Sequence, residues 1–178
     1  MTTPGEQLLA VIGGQHARIR ALLTVVATPQ EADRLVAFDH FLRFLAVHEA
    51  AEQTLLHPQG LVTLSHDDVS ARRITEEQEA AAVIAHLESI DDPRTFLTQF
   101  GLLGAAVTHH AEAEEQEELP ELIAALPDDT IEQILEGFAR VEPWADELES
   151  SPLQGAPTFE AILAQARAGF VALAESQR

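Results

Sequence analysis

Cysteine, lysine and tyrosine are all missing from this 178-residue chain. Without cysteine there can be no disulfide, thiolate metal ligand or cysteine nucleophile. The lack of lysine excludes Schiff-base chemistry, and the lack of tyrosine excludes a tyrosyl radical or phenolate ligand. Positive charge is scarce too: ten arginines face thirty acidic side chains, a formal charge of −20. That balance argues against nucleic acid or an anionic membrane as partner and leaves cations open. No apolar run reaches membrane-spanning length, and no basic stretch precedes an apolar one at the N-terminus, so a cytoplasmic protein is expected. The length suits one domain with a sizeable core.

What is present is helical periodicity. Apolar residues recur at steps of three and four almost everywhere, and strand signals are few. A first helix is expected from Gly5 or Glu6 to Ala27, ended by Thr28-Pro29. A second should run from Glu31 to His57-Pro58, a third from about Ser70 to Ile90, and a fourth from Pro93 to Leu119-Pro120. Short connections imply an up-down-up-down four-helix bundle over residues 1–120. Residues 121–178 are expected to add two C-terminal helices, packed on the bundle within the same domain. One lies around Ile131, Phe138 and Val141, and the last, capped by Thr158, carries Phe159, Leu163 and Phe170. They would cover the bundle or make a homodimer interface.

Two of these helices place polar residues where only core side chains belong. The second has the inward stripe Phe38, Phe41, Leu45, His48, Glu52, Leu55, and the fourth has Phe100, Leu103, Val107, His110, Glu114. Residues four apart share a helix face, so His48 lies above Glu52 and His110 above Glu114. Burying an imidazole and a carboxylate is costly unless something compensates both. A shared metal would do so twice over, and His16 on the first helix also faces inward. Imidazole with carboxylate suits iron, zinc or manganese. Carboxylates from two helices can bridge two cations, and an iron pair with an open position would bind or activate dioxygen or peroxide. The sequence His48-Glu49-Ala50-Ala51-Glu52 opens like a zinc-protease helix, but its fifth residue is glutamate and that reading fails.

Gln15-His16-x-x-Ile19-Arg20, His48-x3-Glu52 closing on His57-Pro58, and His110-x3-Glu114-Glu115 closing on Leu119-Pro120 together resemble the hemerythrin-like, HHE cation-binding family. The resemblance covers about residues 5–120. It implies a di-iron centre in which Glu52 and Glu114 bridge the metals, His16 and His48 serve one and His110 the other. It also implies dioxygen or peroxide as the small ligand, with a di-iron oxidoreductase as the enzymatic form.

The third helix departs from that pattern. Its stripe reads Ala80, Val83, Leu87, Ile90, with Ile84 at the edge, and its one histidine, His86, falls to the side. One turn back from Ala80 stands Glu76, the first choice for a replacement ligand, with Glu77 second; Arg72 and Arg73 offer both an ordinary ion pair instead. His57 is a candidate supplementary ligand, although a cation at a helix C-terminus is favourable without metal. His40, His66 and His109 are expected at the surface. Glu117 and Glu118 extend the fourth stripe only at a fraying end. Two other function classes fit the same residues: an iron or redox sensor without turnover, and a metal-free helical interaction module.

Overall fold

The computed structural model describes residues 2–28, 31–64, 69–150 and 158–176, and every regular element among them is helical. His66, expected in a surface loop, and residues 151–157 of the polar connection lie outside the described residues.

Helix α1 (Pro4–Ala27) starts with a capping box. The Thr3 hydroxyl accepts the Glu6 amide at 3.2 Å, while Glu6 accepts the Thr3 amide at 2.8 Å. Helix α2 (Glu31–Ala51) continues through a π-helical turn, Glu52–Leu56, directly into α3 (His57–Thr63). Helix α4 covers Val69–Leu87. Helix α5 (Pro93–Ala113), capped by the Asp92 carboxylate on the Thr95 amide, likewise passes through a π-turn, Glu114–Glu118, into α6 (Leu119–Ala125). Then follow α7 (Asp128–Phe138), α8 (Val141–Ser150) and α9 (Phe159–Ser176), whose first turn is capped by Thr158 on the Ala161 amide.

The expected stops at His57-Pro58 and Leu119-Pro120 are therefore not stops. Proline lacks an amide donor and clashes with the carbonyl four residues back in an α-helix. The π-turn relieves that conflict by inserting one residue. The His57 amide bonds Glu52 O and the Leu119 amide bonds Glu114 O, both five residues back. Each widened turn thus begins at the glutamate of a His-x3-Glu pair. The single short helix expected around Ile131–Val141 is instead two, because the chain breaks after Phe138 and Val141 opens α8.

Apolar side chains from α1, α2, α4, α5, α7, α8 and α9 merge into one core. Helix α1 packs on α2, α5 and α7, and α5 packs on α4. Helix α9 lies along α2 and also meets α4, with Phe159, Ile162 and Phe170 all buried. It is thus a structural wall of the core. At one end the core is aromatic. Phe38, Phe41, Phe96 and Phe100 meet mostly edge to face, with ring centroids 5.1–6.3 Å apart. At the other end the same stripes deliver histidine and glutamate. Phe100→Ala is expected to destabilise the fold by about 3–5 kcal/mol through the cavity it leaves, read by denaturant unfolding.

Candidate metal centre

Four histidines and three glutamates converge beneath the aromatic end of the core. His16 comes from α1, His48 from α2, Glu52 from the first π-turn, His57 from the start of α3, Glu77 from α4, His110 from α5 and Glu114 from the second π-turn. All but His110 are buried, and its side chain is only 13 % exposed. Two groups could each hold a metal ion: His16, His48, Glu52 and Glu114, and Glu52, His57, Glu77 and Glu114, with one donor atom per residue inside 4.8 Å of the others. Glu52 and Glu114 belong to both. Glu114 faces both ways, with Oε2 3.2 Å from His16 Nε2 and Oε1 3.3 Å from His110 Nε2 and 3.8 Å from His57 Nε2. Glu52 Oε1 stands 2.9 Å from His48 Nε2 and 3.7 Å from His16 Nε2.

All four imidazoles are oriented alike. Each turns Nε2 toward the carboxylates and holds an outer partner with Nδ1: Glu115 for His16 at 2.8 Å, Gln15 for His48 at 2.9 Å, Glu118 for His57 at 3.1 Å and Glu76 for His110 at 2.9 Å. The Gln15 pair fixes a tautomer. The Gln15 amide nitrogen donates to the Phe138 carbonyl at 2.9 Å, so its oxygen is what faces His48 and can only accept. His48 Nδ1 must therefore donate, which leaves Nε2 with a free lone pair when the ring is neutral. Imidazoles that ligate metals are held by outer acceptors in this way.

The inner atoms are poorly satisfied. His16 Nε2, His110 Nε2 and both carboxylate oxygens of Glu52 and Glu114 are buried and, although imidazole and carboxylate face one another as ion pairs, none of these atoms is in hydrogen-bonding geometry. Orphaned buried polar atoms cost about 1–3 kcal/mol each, and here they converge on one region. A cation would satisfy them together, and the donor chemistry fits one.

Without a cation, protons do part of that work. Burial opposes charging His16 and His110, but the carboxylates of Glu114 and Glu52 outweigh it and raise them to about 10 and about 11. His57 is likewise raised, burial being overcome by Glu118 and Glu77. Burial pushes Glu114 up, yet His110, His16 and His57 together hold it well below the usual carboxylate range. Glu52 is also lowered, burial and Glu114 being outweighed by His48 and His16. Glu77 is raised by burial despite His57, and Glu49 is raised well above its ordinary value by burial and by Glu77.

On α4 the order of the two candidates reverses. Glu77 is 2 % exposed and touches His57 at 2.6 Å, whereas Glu76 stays outside and holds His110 Nδ1. The buried line of this helix is Ser70, Arg73, Glu77, Ala80, Ile84, Leu87. Centring the stripe on Val83 instead of Ile84 rotates the expectation by one residue. His57 is a full member of the cluster and not a supplement. In an uninterrupted α-helix, five residues from Glu52 would turn it about 140° away; the inserted residue brings it back. The same insertion buries Glu118, which accepts from Ser70 Oγ as well as meeting His57. Gly60 allows that contact, since a Cβ there would stand 1.8 Å from Ser70 Oγ. The signal for both residues was a proline at Pro58 and Pro120 that did not end a helix. His109 is at the surface as expected, and His40 is half-buried with partners of its own.

Two outcomes follow from this geometry. Gln15→Leu removes the acceptor that orients His48, and metal affinity should fall about 10–100-fold in a competition titration against a chelator. The pH dependence has a definite sign. His16 and His110, raised above their unfolded value, stabilise the metal-free fold fully below pH 6.5, and that stabilisation is lost as pH rises through about 10 to about 11. Metal must displace these protons, so uptake releases protons. The gain in Tm on adding metal should therefore be larger at pH 9 than at pH 6, measured by thermal melts with and without the ion.

Comparison with protein-family models, curated proteins and solved structures gave no match for this chain.

Proposed function

We propose that this chain is a non-haem di-iron protein that binds or activates dioxygen, peroxide or a related small oxidant. The observation that carries the reading is that Glu52 and Glu114 are common to both candidate ligand groups, as shared ligands of a two-metal centre would be. His16 and His48 would hold one iron. His57 and Glu77 would hold the other, with the His110 Nε2 close by at 4.0 Å from Glu77. In this reading α1, α2, α4 and α5 are the four helices of a hemerythrin-like bundle, and α7, α8 and α9 are its C-terminal additions. The resemblance of the His-x3-Glu motifs to that family supports the reading, as does iron's suitability for mixed imidazole and carboxylate sites. Manganese and zinc use the same donors.

When bound, an iron pair supplies one-electron steps and coordination of a small oxygen ligand. The chain supplies the rest. Outer partners on each Nδ1 fix the imidazole orientations and make the rings more basic toward the centre. Glu77 brings a carboxylate from the helix where the family motif has histidine. A third anionic ligand favours the more oxidised metal and supports oxidation chemistry over reversible oxygen carriage. Arg20 and His16 share Glu115, which holds the α1 side of the site in place.

The test is metal stoichiometry across substitutions. Protein produced with iron should carry about two irons per chain and show an oxo-to-iron charge-transfer band. His48→Ala and His57→Ala should each retain about one, and Glu114→Ala, which removes a shared ligand, almost none. Fewer than about one tightly held iron in the unaltered chain, or equal losses in all three variants, would defeat the proposal. Circular dichroism on each variant separates metal loss from unfolding.

A further inference from the structure

A cavity of about 370 Å³ reaches the ligand cluster from the surface between α4 and α5. Its inner end is the centre itself, with His16, His48, Glu52, Glu77 and His110 in the lining. Its walls are Ile19, Leu45, Ala80, Val83, Leu103 and Val107, all apolar. Part of this volume is the room that metals and a small oxidant would take at the inner end, but not all of it: a cavity of about 150 Å³ already accommodates benzene. The space here falls in the lower range of sites for organic ligands, about 300–1,000 Å³.

Of the polar groups in the lining outside the His/Glu cluster (Glu49, Glu76, Glu79, Gln99 and His109), Glu49 alone is buried. Glu49 lines this cavity at 4 % exposure, and its Oε2 has no hydrogen-bond partner. An unpartnered buried carboxyl beside an apolar space is costly unless a guest supplies the missing bond. The remaining acids, Glu76 and Glu79, line the same cavity, and among the described residues no arginine does. A guest facing Glu49 has Glu76 and Glu79 on the same cavity's outer wall, which favours a neutral or cationic group there. A guest with a hydroxyl or amino group would give Glu49 its partner and leave its apolar body against Val83, Leu103 and Val107.

We propose that this cavity is the binding site of an apolar, neutral or cationic organic molecule of about two fused rings in size, bearing one hydroxyl or amino group that hydrogen-bonds Glu49. The position of that molecule against the metals rests on the di-iron reading; the pocket does not. Bound there, the guest lies next to the centre, as an oxidisable co-substrate would.

The probe is 2-naphthol, titrated by fluorescence into manganese-loaded and metal-free protein, with naphthalene for comparison. Binding of 2-naphthol should be at least about tenfold tighter than of naphthalene, which lacks the hydrogen-bonding group. Glu49→Leu should weaken 2-naphthol by about tenfold and leave naphthalene unchanged. Val83→Trp should weaken both by more than about tenfold, and Leu102→Trp, at an exposed position on the rim, provides the same block should the first variant not fold. Manganese in the centre should broaden the proton resonances of bound 2-naphthol. Binding that is untouched by either tryptophan, or absent from a metal-loaded protein, overturns the proposal. Binding that the tryptophans abolish in a chain that takes up no metal upholds the pocket and defeats the di-iron reading instead. Metal uptake with tryptophan-sensitive binding but no broadening overturns the placement of the guest beside the centre.

Discussion

Two carboxylates with no room to separate govern this structure. Glu52 and Glu114 are both fully buried, and each serves two groups of donors. Their mutual repulsion in a poorly solvated interior would unseat the surrounding helices unless positive charge lay between them. Every neighbouring choice follows from that requirement. Imidazoles approach from α1, α2, α3 and α5, so whatever the protonation or loading state, the charge that balances the carboxylates arrives from several sides. The aromatic end of the core supplies the stiffness that holds these helices in register, since close-packed rings leave little freedom to relax.

Hydrogen bonds on the outer nitrogens give the inner ones their direction. Glu115, Gln15, Glu118 and Glu76 each take the far nitrogen of one imidazole. Three of the four are acidic, which explains part of the surplus negative charge: acids are spent orienting bases as well as facing solvent. Gln15 is the exception and is itself held by the Phe138 carbonyl. The C-terminal part of the chain is thereby tied to the tautomer of a residue in α2. Gly137 makes that approach feasible, because a Cβ there would stand 2.1 Å from Leu55 Cδ1 in the first π-turn.

Much of this was legible in the sequence. The all-helical class followed from periodicity, and the inward positions of His16, His48, Glu52 and Glu114 followed from stripes anchored by large apolar residues on both sides. Helix α4 was harder because its stripe is built of alanines. With Ala80 and Ala81 or Ala82 offering no contrast, the choice between Val83 and Ile84 as centre decided whether Glu76 or Glu77 pointed inward. His57 and Glu118 are hidden in the sequence for a different reason. A constant angle per residue, stopped at the proline, puts both outside the inward stripe, whereas the chain gains a residue there and continues. Helical periodicity marks inward positions only while the rise and turn per residue stay constant.

The two π-turns have one more consequence. An extra residue in a helix is a dislocation, and dislocations can migrate when successive amides pass their bonds to the next carbonyl. Pro58 and Pro120 have no amide to pass. Each dislocation is therefore pinned on its C-terminal side immediately after the turn that follows its glutamate, so thermal motion cannot slide the defect onward into α3 or α6 and rotate the donors out of alignment. The prolines act here as latches on helical phase.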